Sequence, residues 1–191
     1  MKQTTKPDNN MAEKKSPEAG AAGTLMDLFE DGLKDMYWAE NALTKALPKL
    51  FDNATDVRLK TAIKEHLDQT YDHVARLEEV FAAIGKKAEA KKCPAMEGLI
   101  KEGDEIVGET QPGPVRDAGI IAAAQKTEHY EIASYGTLAA FAKTLNEREA
   151  LDILLKTLGE EKKANMLLSA IADTTLNSQA VNKNFQAKDV K

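Results

Sequence analysis

Apolar residues recur at spacings of three and four along four long stretches of the chain, the repeat of one face of an α-helix. The first stretch carries Leu25, Phe29, Leu33, Met36, Leu43 and Leu47. Thr24, with Asp27 three residues on, reads as its capping box, and Pro48 is expected to kink or end it. The second carries Leu59, Ile63, Leu67, Val74, Leu77 and Phe81, with Thr55 or Asp56 as cap and Gly85 as stop. The third follows Pro112-Gly113-Pro114, with Pro114 suited to a first helical position, and carries Ile121, Ala124, Tyr135, Leu138, Ala142 and Leu145. Asn146 with Glu149 reads as a capping box for the fourth, which carries Leu151, Leu154, Leu158, Leu168 and Ile171. No alternating run competes with these patterns, so no strand is predicted.

The links between the first and second stretches, and between the third and fourth, are short. Each pair is therefore expected to form an antiparallel hairpin. The connection from Lys86 to Gln111 is long and holds a predicted short helix around Met96–Gly103. A long middle connection can cross a bundle. The expected fold is all-α: a ferritin-like four-helix bundle with a long crossover connection containing a short helix. Residues 1–23 contain no Leu, Ile, Val or aromatic side chain and are read as a disordered N-terminal tail. The bundle is placed at 24–175 and a flexible C-terminal tail at 176–191, where Val181 and Phe185 are the residues that can dock.

The apolar stripes are interrupted by acids. Glu40 falls between Met36 and Leu43, Glu128 and Glu131 between Ala124 and Tyr135, and Glu161 between Leu158 and Leu168. At 100° per residue each lies on the apolar face. A carboxylate taken out of water costs several kcal/mol or more unless it is paired. Four acids on one core cannot neutralise one another, so a cation or retained protons must do so. Each acid sits near the middle of its segment, and in an antiparallel bundle the middles share one level. The second segment brings His66 and His73 to that level, with Gln69 and Thr70 between them. Carboxylates and imidazoles at the centre of a four-helix bundle suit a dinuclear iron or manganese site.

The segments LKDMYWAENALTKALPKL, HLDQTYDHVARLEEVF, EHYEIASYGTL and LGEEKKA resemble the YciE/YciF-type ferritin-like family of bacterial stress-associated proteins. The resemblance covers roughly residues 24–175. It implies a cytoplasmic homodimer with a candidate di-metal centre, and carries Glu40, His73, Glu128, Glu131 and Glu161 onto that centre. The sequence departs from the usual Glu-x-x-His pattern of such centres. Thr70 stands three residues before His73, and Ala164 and Asn165 stand three and four after Glu161. His66, Gln69, Asn165 or water would have to fill the gaps.

Composition narrows the function classes. Lys and Arg number 26 against 31 Asp and Glu, a net charge of −5, which offers no basic footprint for nucleic acid. No apolar run approaches a membrane span, and the N-terminus lacks a secretory signal's apolar stretch. The single cysteine, Cys93, excludes an internal disulfide. Two functions remain: an iron- or manganese-binding bundle, with oxidation of bound ferrous iron by oxygen or peroxide if it turns over, or a metal-free helical dimer acting through protein contacts. In the second, the acids stay protonated or pair with Lys162 or Lys163. Trp38, Leu99 and Ile100 lie off the stripes and are the expected dimer surface. Asp35 is expected to pair with Lys or Arg, and Gly119, Gly136 and Gly159 to permit close helix approach.

Overall fold

The computed structural model describes residues 22–181. The helices are α1 (Leu25–Asn53), α2 (Val57–Ala83), α3 (Pro94–Glu109), α4 (Pro114–Leu145) and α5 (Arg148–Ile171). A π-helical turn, Ala172–Leu176, leads from α5 into the short α6 (Asn177–Val181). α1 and α2 form one hairpin and α4 and α5 the other. The hairpins meet through α2 against α5 and α1 against α4, and α3 packs across α4 and α1. The connection between α2 and α4 thus crosses the bundle, as its length predicts.

Local chemistry sets the helix ends. Thr24 and Asp27 form the reciprocal capping box at α1. Asp56 rather than Thr55 caps α2, accepting from the backbone N–H groups of Arg58 and Leu59. Gly85 takes φ 68° just past α2, a left-handed turn that a Cβ would strain. Pro48 does not end its helix, and one expected cap fails. α1 runs through Pro48 to Asn53, because Leu50 and Phe51 beyond it pack on the core and Lys60 Nζ binds the Phe51 carbonyl at 2.7 Å. Asn146 does not open α5. It closes α4 in the left-handed conformation (φ 63°), its N–H donating to the carbonyls of Ala142 and Lys143.

α3 is twice the length expected. Cys93 caps it, its Sγ accepting from Met96 N–H at 3.3 Å, and Cys93 and Met96 are both buried. Gly119 lets α3 approach α4 closely: a Cβ there would stand 2.6 Å from Ile106 Cγ2. Gly136 and Gly159 have no such neighbour, so close approach does not explain them. At the C-terminal end the chain stays helical through Val181, beyond the boundary read at 175. Leu176 is fully buried, and Arg58 reaches across to Thr175 Oγ1 at 2.6 Å. Val181 itself is exposed. Residues 1–21 of the predicted N-terminal tail, and Phe185, lie outside the described residues.

One buried acid ties the bundle's corner. Asp117, on the first turn of α4, accepts from Thr55 N–H (2.7 Å), Thr55 Oγ1 (2.5 Å) and Asp56 N–H (2.8 Å). It joins the α1–α2 link to the start of the second hairpin. Hydrogen bonds to a charged acceptor contribute about 1.5–3 kcal/mol each, and their losses overlap, so Asp117→Ala should cost about 2–4 kcal/mol in total. A fall in Tm with the helical circular dichroism intact would show it.

Candidate metal centre

The buried line of α2 differs from the one its apolar pattern suggests. Leu67 and Val74 are only half-buried, whereas His66, Thr70 and His73 face the core. Those three follow one another at spacings of four and three, as does the apolar stripe, but one residue out of phase. Opposite them stand Glu40 from α1, Glu128 and Glu131 from α4, and Glu161 from α5, all buried. The four acids and two imidazoles foreseen from spacing therefore converge on one level.

They sort into two groups. His66, Glu128, Glu131 and Glu161 can each present a ligand atom within 4.8 Å of the others, and so can Glu40, His73 and Glu161. Glu161 belongs to both. His66 Nε2 lies 3.4 Å from Glu128 Oε1, and His66 Nδ1 lies 4.0 Å from Glu161 Oε2. His73 Nδ1 lies 2.8 Å from Glu161 Oε1 and 3.5 Å from Glu40 Oε1, yet it is aligned for a hydrogen bond with neither. The two imidazole centroids are 6.4 Å apart.

The donor set is short of protons and partners. Glu40 Oε2, Glu128 Oε2, both oxygens of Glu131, both of Glu161, and Nδ1 of His66 and His73 are buried without a hydrogen bond. Among the described residues the only other orphaned buried side-chain atom is Arg116 Nε. Each such atom costs about 1–3 kcal/mol, more when charged. A cation placed among them would satisfy them together, so these residues fit a metal by their chemistry.

Burial, reinforced by Glu161 and Glu40, pushes the Glu131 carboxyl well above its usual range, and burial with Glu161 does the same to Glu128. Burial also raises Glu40, against the pull of His73 and of Tyr135, whose hydroxyl donates to Glu40 Oε1 at 2.5 Å. His66 is pushed down by burial and stays neutral, its lone pair available to a ligand. For His73 burial works downward, but Glu161 and Glu40 outweigh it and push it up to about 10.

Two residues escape the sequence reading: Glu160 and Arg76. His73 Nε2 pairs with Glu160 Oε2 at 2.9 Å, and Arg76 clamps the Glu160 carboxylate with both terminal nitrogens. Burial works upward on Glu160, but Arg76 and His73 hold it below the usual range. This ionised acceptor fixes the His73 ring so that Nδ1 faces the cluster, the outer-partner arrangement common around metal-bound histidines. Glu160 was legible only as the neighbour of Glu161, on the other side of the helix edge.

The less certain residues divide. Gln69 is half-buried beside His66, while Asn165 Oδ1 accepts from Gln125 Nε2 at 3.3 Å. Tyr130, not a Lys or Arg, is the partner of Asp35, donating its hydroxyl. Lys162 and Lys163 are exposed and form no ion pair with the buried acids. Trp38, Leu99 and Ile100 are partly buried where α1 meets α3. Among the described residues no helix is long and apolar enough to cross a membrane.

Residues 24–181 match the family described as "Domain of unknown function (DUF892)". The chain belongs to this family. The DUF892 chain is 44% identical over 161 residues to the Escherichia coli protein YciF, covering 84% of this chain and 97% of YciF. The crystal structure of YciF, an E. coli stress protein, superposes with a TM-score of 0.79 at 43% identity, covering 82% of this chain and 99% of YciF. YcfI of Rhodopseudomonas palustris, described as a candidate structural protein, gives 0.75 at 46% identity over 76% and 93% of the two chains. A Xanthomonas campestris protein at 18% identity shares the fold, with a TM-score of 0.65.

Proposed function

We propose that this DUF892 protein binds one or two iron or manganese ions at the centre of its bundle and acts as a cytoplasmic stress-associated homodimer. One observation carries the reading: two groups of buried donors share Glu161, and eight of their buried oxygen and nitrogen atoms lack a hydrogen-bond partner. His66, Glu128, Glu131 and Glu161 would hold one ion, and Glu40, His73 and Glu161 the other. Oxygen-rich ligands with one imidazole each suit Fe(II) or Mn(II), and such ions would supply Lewis acidity and one-electron redox chemistry. Tyr135 positions Glu40, and Glu160 with Arg76 positions His73. The similarity to YciF, a stress protein, supports the cellular setting.

The description of YcfI favours a second reading, a metal-free structural dimer. Here the raised acids keep their protons and His73 carries the only imidazolium in the core. Metal content decides between the two. Protein purified without chelator and titrated with Fe(II) under argon, or with Mn(II), should take up close to two equivalents per chain by calorimetry and elemental analysis. No uptake of either ion above the level of a surface acidic patch would leave the structural reading.

A further inference from the structure

The two ends of the donor cluster differ in access. A cavity of about 100 Å³ opens between α2 and α5 and ends on His66 and Glu128. Its walls include Ala62, Ala164 and Leu167, and its rim carries Glu65 and Lys163. Glu128 Oε2 and His66 Nδ1, both buried and unpartnered, belong to the two residues at its inner end. His73 is not part of this lining. The Glu160–Arg76 pair holds its Nε2, and it is fully buried.

We propose that the α2–α5 cleft is the binding and entry site for a small neutral ligand, delivered to the His66 end of the cluster alone. The cavity of about 100 Å³ has room for more than a single water, which needs about 10–15 Å³ of such space. Aliphatic walls set the polarity, because a charged or strongly hydrated molecule loses its shell there without replacement. Dioxygen is neutral and weakly hydrated and meets both conditions, and nitric oxide is its spectroscopic stand-in. The proposal rests on the metal reading for what the ligand meets at the end of the cleft, but not for the cleft itself.

Two variants narrow the cleft by enlarging a lining residue: Ala164→Phe, and Leu167→Trp at a partly exposed position of the wall. In the iron-loaded full-length protein, nitric oxide association followed by absorbance and the high-spin iron–nitrosyl EPR signal should slow by about tenfold or more in both, at unchanged iron content. Equal rates in parent and variants would overturn the proposal. A parent that takes up no iron would refute the metal reading instead. The cleft is then judged in metal-free protein by deuterium exchange at the imidazole C2 positions, read by mass spectrometry. His66 should exchange more slowly in the variants than in the parent while His73 stays as it was, and an unchanged His66 rate would overturn the cleft.

Discussion

Glu161→Ala should abolish metal uptake at both positions of the cluster, because Glu161 is the only residue common to the two donor groups. Loss of an outer partner costs about 10–100-fold in metal affinity, and loss of a direct charged ligand shared by two ions should exceed that. His66→Ala and His73→Ala provide the comparison. Each removes the imidazole of one group, so each should lower the stoichiometry from two toward one. Titration with Fe(II) or Mn(II) reads all three variants. Two full equivalents in Glu161→Ala would remove this residue from the centre, and equal losses in all three would mean that a single ion is held by the whole cluster.

The metal-free protein should become less stable as the pH rises, the reverse of ordinary acid denaturation. In the folded chain Glu128 and Glu131 hold their protons far above the 4.5 of an exposed glutamate, and Glu40 is raised as well. In the unfolded chain they release them near 4.5. Below that pH both states are protonated and the stabilising contribution is complete. Above it the unfolded state gains by ionising and the folded state does not, so stability drains as pH climbs toward the folded values. His73 acts in the same direction: its contribution is whole below 6.5 and is lost as pH rises through about 10. Glu160 opposes this, losing its contribution as pH falls below 4.5, but it is partly exposed and its share is smaller. Metal-free Tm should therefore be higher at pH 5.5 than at pH 8. Bound metal needs the ligands deprotonated, so it should restore stability at pH 8, by about 2.7 kcal/mol at a free ion concentration 100 times Kd. Scanning calorimetry of both forms at the two pH values tests this. A metal-free Tm that rises with pH would show that the acids are not held protonated.

The four bundle helices and the converging acids were legible because each depends on periodicity within one segment. Glu40, Glu128, Glu131 and Glu161 interrupt runs of leucine and alanine whose phase is unambiguous. The phase of α2 was harder to read. Its true buried line is polar at the centre, and Leu67 and Val74 drew the stripe one residue off His66, Thr70 and His73. The role of Glu160 depends on Arg76, 84 residues away, and no local pattern encodes that pairing. Helix ends were misjudged where tertiary contacts override propensity. Leu50 and Phe51 carry α1 past Pro48, and Leu176 holds the chain helical beyond α5.

The placement of every donor at mid-helix makes the protein unequally tolerant of changes in length. Inserting one residue before Glu40, His66, Glu128 or Glu161 within its helix would turn that side chain by about 100° and slide it by about 1.5 Å relative to whatever packs on the other side of the insertion. In α5 such a slip would move Glu160 into the station of Glu161 and Glu161 into that of the exposed Lys162, aiming the arginine-bound acid at the core. The link from Lys86 to Lys92, between α2 and α3, carries none of these residues, and lengthening a loop adds little closure entropy. Added length should therefore be tolerated better between the second and third helices than within the four bundle helices, whose registers must stay fixed.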